Sequence, residues 1–227
     1  SGEYNKSVYF YEKSIKINPN DVITFNSILD LFTSIQFSNL SSKNSKSIKN
    51  LIIFLFKKKN INHSQIFHNA KLLIYIDKNQ QELEKIINSE KLLLNNETIK
   101  KLLKEEFFHL LLQKSFIRDR SVEILLTKIR KEILFLLKNE NQNILNEYYD
   151  FIISLAEQSF LNEYVFFQSE EEVQFIINLE KKLLNNLENN EIEIAILGSY
   201  IPLQKSEVIK NKLINYNSKN DLFNDMI

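Results

Sequence analysis

Apolar residues recur at helical spacing along nearly the whole chain. Val122, Leu125, Leu126, Ile129, Ile133, Leu136 and Leu137 hold one helical face, which predicts a helix capped at its start by Asp119 or Ser121. A second stripe runs Val173, Ile176, Ile177, Leu183, Leu184 and Leu187, interrupted by Glu180. A third, Val22, Phe25, Leu29 and Phe32, follows a cap at Asp21. The stripes break at Asn18-Pro19-Asn20, in the serine-rich stretch 38–47, near Asn60 to Asn62, at Asn95-Asn96, from Phe116 to Asp119, at Gln168-Ser169, at Asn189-Asn190 and at Ile201-Pro202. About ten or more helices result, and the short joints between most of them predict antiparallel neighbours.

Composition sharpens this to an all-α fold. The chain has 2 glycines and 2 prolines in 227 residues, whereas sheet-rich and α/β folds spend glycine on turns, bulges and phosphate loops. The expected architecture is a set of antiparallel helical hairpins, with a tetratricopeptide-like, α-solenoid N-terminal end packed on an irregular helical bundle. Residues 1–37 read as the end of a repeat region, 38–47 as a serine-rich linker (SNLSSKNSKS), and 48–227 as a larger helical domain. A chain of this length buries roughly 70–75% of its unfolded surface, so it needs no staples.

The repeat assignment rests on SGEYNKSVYFYEKSIKINPND at the N-terminus. It resembles the second half of a tetratricopeptide repeat: Gly2 and Tyr4 at the turn, small Ser7 and Ser14 where two helices approach, Tyr11 between them and Pro19 after the helix. Serine stands where the repeat usually has alanine, and no second copy follows at a period of about 34 residues. With no initiator Met and no signal-peptide pattern, the chain reads as a piece of a longer protein.

Charge and residue chemistry exclude several functions. Lys plus Arg and Asp plus Glu balance at 29 each, so no summed positive field is available for nucleic acid. The longest apolar run, Leu51 to Phe56, is far shorter than the roughly 20 residues of a membrane span. The chain has no cysteine, which removes disulfides and zinc-thiolate sites and fits a reducing, cytoplasmic setting. Dinucleotide, P-loop and class I methyltransferase sites need a glycine-rich turn, and only Gly2 and Gly198 are present. His63 and His68, five apart, fall on different helical faces, so they form no metal pair, and His109 reads as an interfacial histidine. The glutamates fall mostly on polar helix faces, and Lys57 to Lys59 reads as a solvated helix end. No catalytic residue, cofactor site or metal site is assigned.

Three stretches carry a wider resemblance: KSFIRDRSVEILLTKIRKEILFLL, FIISLAEQSFLNEYVFFQSEEE and EIAILGSYIPLQKSE. In this order, over about residues 105–206, they resemble the helical region between the repeats and the catalytic domain in a bacterial family of tetratricopeptide-repeat-containing S-adenosylmethionine-dependent methyltransferases. Its most specific elements here are Arg118-Asp119 before Glu123, Gln158 with Asn162-Glu163-Tyr164, and Tyr200 with Pro202-Leu203. The resemblance implies that S-adenosylmethionine would bind only in a downstream domain. This chain would then be a non-catalytic interaction region that positions a protein substrate or packs on that domain. The alternative is a stand-alone protein-interaction scaffold.

The middle stretch, SFLNEYVFFQSEEE, holds the candidate residues. Continued as a helix, it would place Phe160, Tyr164 and Phe167 on one apolar face, with Asn162 one turn from Gln158. Ser169 and Glu172 match a capping box, so the acids mark a helix start. Gln158, Asn162, Glu163 and Tyr164 are then candidates for fixing a helix junction or docking a protein domain.

Overall fold

The computed structural model describes residues 2–34, 42–75, 80–89, 93–186 and 190–227, and all regular structure among them is helical. The N-terminal third contains α1 (Gly2–Ile17), α2 (Val22–Ser34), α3 (Ser42–Phe56), α4 (Phe67–Leu72) and α5 (Gln80–Ile87). Next come α6 (Glu97–Leu103), α7 (Glu106–Lys114), α8 (Arg120–Lys138), α9 (Gln142–Glu147) and α10 (Tyr149–Leu161). The chain ends with α11 (Glu170–Asn185), α12 (Glu191–Gly198), α13 (Glu207–Leu213) and α14 (Asp221–Met226). Short 3-10 turns fall at His63–Gln65, Leu73–Tyr75, Leu93–Asn95 and Leu203–Lys205.

Local chemistry sets the helix ends. Asp119, rather than Ser121, caps α8: its carboxylate accepts from the Ser121 and Val122 amides at 3.1 Å each. The same carboxylate accepts from the Tyr75 hydroxyl at 2.8 Å and from Lys71 Nζ at 3.1 Å, so the cap also anchors the α4 region to α8. Ser169 and Glu172 close the expected capping box at α11. Asp21 accepts from the Thr24 amide at 2.8 Å at the start of α2. Residues 35–37 at the end of the repeat region, 38–41 of the linker, Leu187 and Asn189 lie outside the described residues. Ser42 to Ser47 form the first turns of α3, so that helix begins inside the stretch read as linker.

The N-terminal helices join the same core as the rest. Ser14 Oγ on α1 lies 3.1 Å from Thr24 Oγ1 on α2, where the two helices approach. Glu12 accepts from Lys16 at 2.8 Å and, across to α3, from Asn50 at 2.8 Å and from Ser47. Those donors hold its carboxyl down at about 2, Lys16 contributing most. Asn69 on α4 donates to the Phe32 carbonyl at 2.8 Å, occupying an acceptor in the last turn of α2. The buried apolar cluster runs from Val8 to Phe223.

At its centre lies α10, where Phe151 to Ala156 are all buried, the mark of a helix enclosed on every side. It packs against α7, α12 and α14. Phe151 stacks on Phe108 of α7 with ring centroids 6.2 Å apart. The end of α10 therefore emerges from the middle of the protein, and the candidate residues sit there.

Candidate functional site

Helix α10 stops at Leu161, three residues into the stretch that a continued helical face would span. The Tyr164 amide donates to the Ser159 carbonyl at 2.8 Å, and the Glu163 amide to the Phe160 carbonyl at 3.1 Å. This 6→1 and 5→2 pair is a Schellman motif, with Glu163 at the left-handed position usually held by glycine. Glu163 has φ 53° and Tyr164 has φ 60°, two consecutive non-glycine residues in the left-handed region. The expected common face of Phe160, Tyr164 and Phe167 consequently does not form. Phe160 is 56% exposed, Val165 73% and Phe167 75%, and Phe166 is the aromatic that enters the core. Extrapolating the 3.6-residue period through a helix stop inverted the assignment of these rings.

The amides do pair. Gln158 and Asn162 are buried, one turn apart, with their carboxamides 2.8 Å from each other. The Gln158 carboxamide also faces the carbonyls of Leu112 at 2.7 Å and Ser115 at 3.0 Å. The orientation that satisfies all partners puts its nitrogen on those carbonyls and its oxygen toward Asn162. Gln158 thus closes the C-terminal end of α7 while Asn162 ends α10.

Arg130, absent from the sequence-based candidates, holds the other side of the corner. It is fully buried in α8, and Nη1 donates to the Ser199 carbonyl at 3.1 Å while Nη2 donates to the Phe167 carbonyl at 2.8 Å. Its guanidinium carbon lies 4.1 Å from the Tyr200 ring centroid and 5.4 Å from that of Phe166. Tyr200 donates to Glu172 at 2.8 Å, and the other oxygen of Glu172 accepts from the Ser169 amide at 2.8 Å. Burial lowers the Arg130 pKa and raises that of Tyr200. One side chain therefore ties α8, the corner and the turn after α12. Its spacing carried a signal: Leu126, Arg130, Ile133 and Leu137 share the face of the α8 stripe, so a cation there had to be buried and paired.

Beside the corner, Glu157 also departs from the expectation of a solvated glutamate. It lines a cavity of about 410 Å³ between α10, α12, α13 and α14, and its Oε2 is closed off from solvent without a hydrogen-bond partner. Burial pushes its carboxyl up to about 7, with Lys114 opposing and Asp225 adding to the rise. Tyr164 lines the same cavity, its hydroxyl pushed up to about 12 by burial.

The histidines occupy structural positions. His109 Nε2 meets the Leu103 carbonyl at 2.6 Å, His63 Nε2 meets the Lys58 carbonyl at 3.0 Å, and burial depresses the His63 pKa. Lys57 pairs with Glu106 at 2.6 Å, and Lys58 donates to the Pro19 carbonyl at 3.1 Å. Among the described residues no group of three His, Asp or Glu could hold a metal ion, and no helix is long and apolar enough to cross a membrane.

Compared with family models, with curated proteins and with solved structures, the chain finds no match in any of the three.

Proposed function

We propose that this chain is a non-catalytic helical interaction module, and that the α10–α11 corner is the surface on which it docks a protein domain. The observation that carries this is the outward projection of Val165 and Phe167 from a corner whose backbone is fixed on both sides. The Phe166 ring and the Phe166 and Phe167 carbonyls are held by Arg130, while Val165 and Phe167 face solvent and Phe166 faces the core. Large apolar groups presented on a rigid backbone lose little entropy on burial against a partner. Phe160 and Leu161, at the end of α10, are also exposed apolar side chains.

The partner is the catalytic domain of a S-adenosylmethionine-dependent methyltransferase in the same longer protein, as the resemblance over residues 105–206 implies. In that arrangement α1 is the closing half of a tetratricopeptide-like repeat, and its close approach to α2 at Ser14 and Thr24 is compatible with such a hairpin. The cofactor binds outside residues 1–227. The test uses the complete protein and its separately expressed downstream domain. S-adenosylmethionine binding by the complete protein, with co-elution of the two pieces that Val165→Asp plus Phe167→Asp abolishes, is the expected result. A complete protein that binds no S-adenosylmethionine removes the methyltransferase half and leaves the stand-alone scaffold.

A further inference from the structure

The cavity beside the corner has an apolar wall at Ala156, Phe160, Leu203 and Leu213, with two carboxylates, Glu157 and Asp225, at its lining. Its volume of about 410 Å³ lies within the range that holds small organic ligands. Glu157 Oε2 is closed off with no hydrogen-bond partner from the protein, an arrangement that penalises the ionised carboxylate. Lys114 and the Gln113 carboxamide on α7 favour the ionised form of Glu157, Asp225 on α14 opposes it, Lys210 on α13 lines the cavity, and Tyr164 closes the corner side. A divalent cation needs several oxygen ligands, and no suitable group of three acids or histidines exists among the described residues. Glu157 Oε2 accepts from none of the side chains around it, and a hydrogen-bond donor carrying positive charge on an apolar body would meet it.

We propose that the cavity binds a small organic ammonium, with its N–H donated to Glu157 Oε2 and its apolar body against Phe160, Leu203 and Leu213. No covalent bond changes. The ammonium keeps its protons, and the proton that Glu157 carries when the cavity is free passes to bulk solvent as the carboxylate ionises against the ligand. With the free carboxyl at about 7, complex formation at pH 7 releases about half a proton per ligand. Affinity then rises about tenfold from pH 6 to pH 8, as the ionised fraction of Glu157 does. The site goes beyond the docking surface, although Phe160 and Leu161 belong to both. Because its test uses this chain and a small probe alone, its failure is distinct from failure of docking.

The probe is 4-phenylbutylammonium, titrated calorimetrically into the full chain at pH 6, 7 and 8 in buffers of low and high ionisation enthalpy. The expected results are saturable binding, the half-proton release at pH 7, the tenfold pH gain, and at least a tenfold loss in Glu157→Gln. The Glu157 carboxyl carbon, followed by NMR, should titrate near 7 in the free protein and below about 6 at saturation. That second readout needs no variant. Equal affinity for 4-phenylbutan-1-ol, unchanged affinity in Glu157→Gln, an unmoved Glu157 titration, or no binding of the ammonium at millimolar concentration would each overturn the proposal.

Discussion

Two helices of this protein end on the same dipeptide, and only one of the two corners is more than a stop. Helix α8 ends at Asn139-Glu140 and α10 at Asn162-Glu163. At both, the glutamate adopts the left-handed conformation, with φ 57° and 53°, and closes the same pair of backbone hydrogen bonds. At the first corner the residue one turn back is the exposed Phe135, Asn139 is exposed, and Asn141-Gln142-Asn143 follow as the chain turns into α9. At the second, the residue one turn back is the buried Gln158, Asn162 is buried against it, and Tyr164-Val165-Phe166-Phe167 follow before α11. Stopping a helix requires only what the first corner has. The amide clamp, the second left-handed residue and the outward apolar side chains of the second corner are additional, and they are what a docking surface needs.

The comparison is broken hardest at Arg130. Arg130→Leu strands the carbonyls of Ser199 and Phe167 in a buried site, and we expect a loss of about 3–5 kcal/mol by urea denaturation. Gln142→Ala, at the first corner, should change stability by less than about 0.5 kcal/mol. A similar loss at both would mean the second corner is no more anchored than the first.

Glu157 has no counterpart beside the first corner, and it makes the second one pH-sensitive. Its folded pKa, about 7, lies above its ordinary 4.5, so the folded state prefers the protonated acid. That preference contributes fully below 4.5 and is lost as pH rises through 7. Glu157→Gln should therefore stabilise the protein by up to about 3 kcal/mol at pH 8, with the gain vanishing near pH 4. Thermal melts across that range check it.

Smaller effects separate clamp from stop. Asn162→Ala should cost about 1–2 kcal/mol because it leaves Gln158 with an unmet partner in the core, whereas Asn139→Ala should be near neutral. Glu140→Gly and Glu163→Gly should each add about 0.5–1 kcal/mol, since glycine adopts positive φ without the Cβ penalty. Equal gains at the two would show that the stops are the same device.

Much of this was legible in the sequence where local chemistry decides. The all-helical fold, the caps at Asp21, Asp119 and Ser169, and the pairing of Gln158 with Asn162 follow from turn-length spacing and side-chain oxygen placement. The fate of Phe160 and Phe167 was not legible, because their assignment depended on where α10 stops. The stop is made by a glutamate in a conformation that favours glycine, in a chain nearly without glycine. Glu157 reads as one more polar-face glutamate until α13 and α14 fold over it from about fifty residues further along the chain. Arg130 lies on the face of the α8 stripe without having been singled out, and its partners come from the turns near Phe167 and Ser199, which no local pattern connects.

The central claim, that the second corner is a surface held ready for another domain, is tested most directly by site-specific photo-crosslinking in the complete protein. A benzoyl-phenylalanine placed at Val165 is compared with one at Gln142, the equivalent position after the first corner. The account predicts adducts from position 165 that map to peptides outside residues 1–227, with few from position 142. Equal yields from the two positions, or none from 165, would contradict it.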